Sequence, residues 1–212
     1  MNYDAIIFDV DGTLWDSRAL VADAWNQGVR DLLGYDPGYT VGDMDRLFGN
    51  TMVRIGELLF PEMEERARND LMYRLINEYE NRWLTKSGGI FYPGVEETVQ
   101  RLARRYPLFI VSNCQKGYIE WVMHYGGFRS CIRDWLCFED TLRGKGENLK
   151  LMCRRHGLAH PVYVGDTAGD WEACQQAGMP MIFASYGLGR VEGLPTIRYL
   201  PELEELMEQG GL

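Results

Sequence analysis

Short, uninterrupted apolar runs that stop abruptly at turn residues constrain this chain more than any other feature. Ala5-Ile6-Ile7-Phe8 is closed by Asp11-Gly12, and residues 3–10 read as a buried strand. Leu108 to Val111, Leu136 to Phe138 and Val162 to Val164 repeat the pattern, with Met181 to Ala184 as a weaker fifth instance. Helical patterns separate them, over Val95 to Tyr106, Lys116 to Gly126, Glu147 to Gly157 and Trp171 to Gly178. Strands alternating with helices predict an α/β fold, a Rossmann-like parallel sheet with helices on both faces.

Residues 16–86 break the alternation. Val21, Trp25, Val29, Leu32 and Leu33 recur at helical spacing, and Pro61 opens an acidic, Arg-rich stretch that reads as one helix to about Trp83. The expected organisation is a catalytic core from 1–15 and 87–212, with an all-helical cap at 16–86 inserted after the first strand. Leu200 to Gln209 reads as a terminal covering helix.

Charge and composition exclude several functions. The 212 residues carry a net charge of −9, and the 22 basic residues are dispersed, so no nucleic-acid partner is expected. No apolar stretch is long enough for a membrane span, and the N-terminus lacks a basic signal region. Five cysteines, odd in number and without a Cys-x-x-Cys pair, suit a reduced, cytoplasmic protein. Nothing in the sequence reads out an oligomeric state.

The chemistry sits at strand ends. Asp9 and Asp11, two apart on an extended segment, project to one side, and Asp166 and Asp170 follow the strand at Val162 to Val164. Alone, Asp166 reads as a turn residue and Asp170 as the N-cap of the Trp171 helix. Four carboxylates gathered at one sheet edge repel one another unless a hard cation neutralises them, and an all-oxygen site suits Mg²⁺. Ser112 and Asn113 follow the strand at Leu108 to Val111, while Lys145 occupies a glycine-rich stretch before the Glu147 helix. These groups offer a hydroxyl, an amide and a cation to a phosphoryl group.

In this order the elements resemble the haloacid dehalogenase-like superfamily, in particular its phosphoglycolate phosphatase-type members with a helical (C1 type) cap. The resemblance implies a Mg²⁺-dependent phosphatase acting on a small phosphorylated metabolite through an aspartyl phosphate. It makes Asp9 the nucleophile and Asp11 the proton donor and acceptor, with Asp9, Asp11 and Asp166 holding the metal. Ser112, Asn113 and Lys145 bind the phosphoryl group, and Thr13 and Asp170 support them. Gly49, Asn50 and Thr51 resemble the cap's substrate-facing loop. Gly146 stands where such proteins usually carry Pro, which leaves Lys116 and Lys150 as other occupants of the lysine role.

Asp11 favours phosphoryl chemistry over dehalogenation, and the absence of lysine from Trp15 to Thr85 argues against the Schiff-base, phosphonate-cleaving relatives. The alternatives are a β-phosphoglucomutase-like phosphotransferase, against which Thr13 leans, and a catalytically silent module of the same fold. His124, His156 and His160 lie outside the cap and read as surface or packing residues.

Overall fold

The structure, a computed structural model, describes residues 3–87 and 90–208, excluding the side chains of 85–87. Its strands are β1 (Ala5–Phe8), β2 (Trp15–Asp16), β3 (Ile90–Phe91), β4 (Leu108–Val111), β5 (Ile132–Leu136), β6 (Pro161–Gly165), β7 (Met181–Ala184) and β8 (Thr196–Ile197). Six of them form one parallel sheet in the order β5-β4-β1-β6-β7-β8. The chain therefore builds outward from β1 first in one direction, then in the other. Phe8 is in register with Ile110 on one side and Val164 on the other, so β1, β4 and β6 end level. Residues that follow these three strands meet where the strand order reverses, the place where parallel sheets open a crevice.

Two compact units emerge, residues 1–15 with 91–212, and residues 16–90. In the first, α6 (Val95–Leu102), α7 (Tyr118–Tyr125), α8 (Phe138–Thr141), α9 (Lys145–His156), α10 (Ala168–Ala177) and α11 (Glu202–Glu208) accompany the sheet. Ile7, Phe109, Val111 and Tyr163 pack on one face with Leu149 and Met152 of α9 and Cys174 of α10. Ile6, Phe8, Leu108 and Ile110 alternate to the other face and are equally buried. Burial of each such large apolar side chain is worth about 1.5–3 kcal/mol, which explains why these runs become strands covered on both faces.

The second unit holds α1 (Arg18–Leu33), α2 (Val41–Leu47), α3 (Met52–Leu59), α4 (Glu65–Arg74), a π-helical turn (Leu75–Glu80) and α5 (Asn81–Ser87). Val21, Trp25, Val29, Met44, Ile55, Leu71 and Leu75 form its own core. β2 and β3 pair as a two-stranded ribbon where the chain passes between the units.

Several elements differ from the sequence reading. The apolar run Leu136 to Phe138 ends a strand rather than forming one. β5 runs from Ile132 and reads as mixed because it is a sheet edge, with Arg133 exposed and Asp134 half-buried. Asp140 accepts the Cys137 N–H at 2.9 Å and turns the chain into α8. The helix expected from Pro61 to Trp83 starts at Glu65, where Glu64 caps the Ala67 N–H, and is interrupted by the π turn. That turn ends at buried Glu80, which accepts the Trp25 indole N–H at 2.9 Å. Between the first strand and α1, Asp11 bridges to Trp15 and the two-residue strand β2 intervenes, an element too short for the sequence pattern to show. α9 and α10 begin at Lys145 and Ala168, ahead of the expected Glu147 and Trp171. β8 spans only two residues, too few to carry a pattern. The terminal helix expected to Gln209 is seen at Glu202–Glu208, and Gln209 lies outside the described residues.

Candidate active site

Asp9 is the first residue past β1, and its N–H donates to the Val164 carbonyl at 2.9 Å, which continues the pairing with β6. The side chain is almost wholly buried, and Oδ1 makes no hydrogen bond of acceptable geometry. The nearest opposite charge is the Lys145 ammonium, 3.0 Å from that oxygen. Burial pushes the Asp9 carboxyl up to about 6; Lys145 opposes the rise and Asp170 adds to it.

Asp166 and Asp170 come from the other side of β1. Thr167, not Asp170, is the N-cap of α10, and Asp170 is the third helical residue in a reciprocal capping box with it. Asp170 Oδ2 accepts the N–H groups of Asp166 and Thr167 at 3.1 and 2.9 Å and the Thr167 hydroxyl at 2.7 Å. Oδ1 takes the Lys145 ammonium at 2.5 Å and the Tyr163 hydroxyl at 3.4 Å. Burial works to raise the Asp170 pKa, yet Lys145 and these donors hold it below the ordinary carboxylate range. Asp166 is pushed well above that range by burial and by the neighbouring Asp170 and Asp9 carboxylates. Its oxygens accept the Leu188 N–H at 2.7 Å and the Thr13 hydroxyl at 3.4 Å.

Lys145 opens α9 with Gly144 as N-cap, so it is a helical residue rather than part of a loop. Burial disfavours its charge, but Asp170 and Asp9 outweigh that and keep the ammonium firmly protonated. Lys150 instead pairs with Glu147 at 2.8 Å, and Lys116 is exposed. Gly146 has a packing reason: a Cβ there would lie 2.2 Å from Gln176 Oε1 and 3.1 Å from the Ala173 carbonyl of α10.

Ser112 follows β4, is buried, and donates its N–H to Leu136 at 3.1 Å; Asn113 beside it is half-buried. The Asp11 side chain does not join the other acids. Its Oδ1 accepts the Tyr118 hydroxyl at 2.6 Å and the Trp15 indole N–H at 3.2 Å. In the helical unit, Gly49 has φ +83°, Asn50 donates to the Leu47 carbonyl at 3.0 Å, and Thr51 caps α3. His124, His156 and His160 are exposed, and His156 meets Asp134 at 2.8 Å.

The sequence reading missed the walls of the site. Tyr163 donates its hydroxyl to the Val111 carbonyl at 2.9 Å, across β1. Tyr186 donates to the Thr13 carbonyl at 2.8 Å. A Cβ on Gly12, Gly187 or Gly189 would come within 2.0, 2.4 and 2.5 Å of Asp166 atoms, so the chain passes there only as glycine. A Gly-x-Gly two residues beyond an apolar strand was the available signal for the 187–189 segment.

Asp9, Asp166 and Asp170 each present an oxygen within 4.8 Å of the others. Three carboxylates against one ammonium leave an excess of negative charge, and it falls on the two groups whose pKa values rise. Asp170 spends both oxygens on Lys145 and the α10 terminus. Asp9 and Asp166 are therefore the under-compensated pair, and an all-oxygen donor set of this kind fits Mg²⁺.

Comparison with known proteins agrees with this geometry. The chain is 27% identical over 198 residues to a phosphoglycolate phosphatase of Psychrobacter arcticus, covering 88% of this chain and 85% of the relative. It is 23% identical to an N-acetylmuramic acid 6-phosphate phosphatase of Pseudomonas aeruginosa, covering 92% and 88%. The crystal structure of a predicted phosphoglycolate phosphatase from Haemophilus somnus superposes with a TM-score of 0.85 at 19% identity, covering 97% of this chain and 98% of that one. Residues 6–184 match the sequence profile of the haloacid dehalogenase-like hydrolases, and the chain belongs to that family.

Proposed function

We propose that this phosphatase hydrolyses a small phosphorylated metabolite, of the phosphoglycolate kind, through an aspartyl phosphate on Asp9 with Mg²⁺ as cofactor. The observation that carries the reading is Asp9 Oδ1, a buried carboxylate oxygen without a hydrogen bond, 3.0 Å from a buried lysine. Native proteins rarely leave such an atom unsatisfied without a use for it. Asp9 and Asp166, with the Asp11 main-chain carbonyl, would hold Mg²⁺, which when bound neutralises the carboxylates and draws charge from the phosphoryl oxygens.

An Asp9 oxygen attacks phosphorus, the bond from phosphorus to the leaving oxygen breaks, and Asp11 gives that oxygen its proton. Asp11, now a carboxylate, takes a proton from water. The water oxygen attacks phosphorus, and inorganic phosphate leaves Asp9 regenerated. Ser112, the Asn113 amide and Lys145 stabilise charge on the transferring group. Asp170 fixes Lys145, and Thr13 steadies Asp166. The Gly49-Asn50-Thr51 loop is our candidate for contact with the organic part of the substrate. All five cysteines are free thiols, and among the described residues no helix is long and apolar enough to cross a membrane, which supports a cytoplasmic setting.

The test is phosphate release from 4-nitrophenyl phosphate, with Mg²⁺ or a chelator, by the wild type and Asp9→Asn. Release that needs both Mg²⁺ and Asp9 is expected. Release that persists in Asp9→Asn removes the nucleophile assignment, and release indifferent to the chelator removes the metal.

A further inference from the structure

The geometry points to Tyr163 as a positioning residue for Ser112, a tether from β6 that fixes the backbone on which Ser112 stands; this rests on the reading of Ser112 as a phosphoryl-binding residue. Tyr163 is in register with Ile7 of β1, and Ile7 is in turn level with Phe109 of β4. From there the side chain reaches past β1 and two residues further along β4, where its hydroxyl donates to the Val111 carbonyl at 2.9 Å. The residue is fully buried, in one cluster with Leu149 and Met152 of α9 and Cys174 of α10.

Strand pairing with β1 does not hold this point. The ladder between β1 and β4 ends at Phe8 and Ile110, and the Asp9 N–H donates to β6, at the Val164 carbonyl. The Val111 carbonyl lies one residue beyond that last pair, and the Tyr163 hydroxyl serves in place of a strand partner. This carbonyl and the Ser112 N–H belong to one planar peptide group. The N–H donates to the Leu136 carbonyl of β5 at 3.1 Å, so the plane is pinned at both ends. The single hydroxyl proton is shared unequally with Asp170 Oδ1 at 3.4 Å, and the Tyr163 ring lies 5.7 Å from the Lys145 ammonium. One side chain thus links the backbone before Ser112 to the Lys145–Asp170 pair and keeps their spacing fixed. Phenylalanine would fill the same space beside Lys145 but leave the peptide plane free to tilt.

Tyr163→Phe separates positioning from packing, read through inhibition of 4-nitrophenyl phosphate hydrolysis by inorganic phosphate. An inhibition constant does not depend on how much of the enzyme is folded, so a merely structural role leaves it unmoved. Tyr163→Phe should raise it about five- to tenfold, the scale of one lost hydrogen bond. Ser112→Ala is the companion variant and should raise it as well. The double variant should raise it by less than the product of the two, because both changes act on one group; effects that multiply in full would overturn the assignment. If Ser112→Ala raises the constant and Tyr163→Phe does not, the assignment of Tyr163 is overturned while the reading of Ser112 stands. If Ser112→Ala leaves the constant unchanged, that reading fails and the assignment of Tyr163 falls with it.

Discussion

The Lys145 ammonium lies 2.5 Å from Asp170 Oδ1, an ion pair in which both side chains are at least 96% buried. Two elements distant in sequence, the starts of α9 and α10, are joined there beneath Asp9. The pair is partly an electrostatic device for the site and partly a structural brace.

Breaking the pair from the acidic side removes more than one charge contact. Asp170→Ala also frees the N–H groups of Asp166 and Thr167 and leaves Lys145 with Asp9 alone. A loss of about 3–5 kcal/mol is expected, the scale for stranding one partner of a buried pair. Urea denaturation followed by circular dichroism measures it.

Without a bound cation, the buried Asp9 carboxylate should destabilise the fold. The folded-state pKa of Asp9, about 6, is raised above its usual value of 3.8, so the folded protein holds a proton that the unfolded chain has already lost. That contribution is complete below the unfolded value and disappears as pH rises through the folded one. In chelator at pH 7, Asp9→Asn should melt above the wild type, by no more than about 3 kcal/mol in stability, and the gap should close below about pH 4. An Asp9→Asn protein no more stable than wild type at pH 7 contradicts the expectation.

Mg²⁺ should reverse that ranking. Binding to the folded state alone stabilises by mass action, about 2.7 kcal/mol at one hundred times the dissociation constant. The wild-type melting temperature should climb with Mg²⁺, and Asp166→Asn should climb much less, since Asp166 is one of the two under-compensated carboxylates. Equal shifts in both proteins would place the cation elsewhere.

Two glycines with the same backbone conformation make a controlled comparison. Gly12 and Gly34 both have φ +79°, but a Cβ on Gly12 meets Asp166 Oδ2 at 2.0 Å and one on Gly34 meets nothing within 4 Å. Gly34→Ala should cost only the left-handed penalty, about 1–2 kcal/mol, and keep full activity. Gly12→Ala pays the same penalty and displaces Asp166, so phosphate release should collapse in an assay beside the thermal melts.

The motifs were legible because they are local. Asp9, Asp11, Asp166 and Ser112 each stand within three residues of the end of a short apolar run, and such a run bounded by turn residues fits a strand buried on both faces. Lys145 carried no comparable mark. Its place within 3.0 Å of both Asp9 and Asp170, which supports the proposal that it is the lysine of the site, is a fact of packing between α9 and the residues that follow β1 and β6. β5 was misread for a related reason: an edge strand buries only part of its surface, so Arg133 and Asp134 interrupt the apolar signal.

Sequence alone determined which residues end the strands and that a helical segment interrupts the alternation, since hydrophobic period and turn chemistry act over a few residues. The tertiary structure decided how those strand ends are divided in use. It turned Asp11 toward Tyr118 and Trp15, gave Asp170 to Lys145, and left Asp9 and Asp166 with the uncompensated charge. Those outcomes depend on distances between groups far apart in the chain and on the water excluded around them, and the cost of burying a charge exists only once the fold has closed.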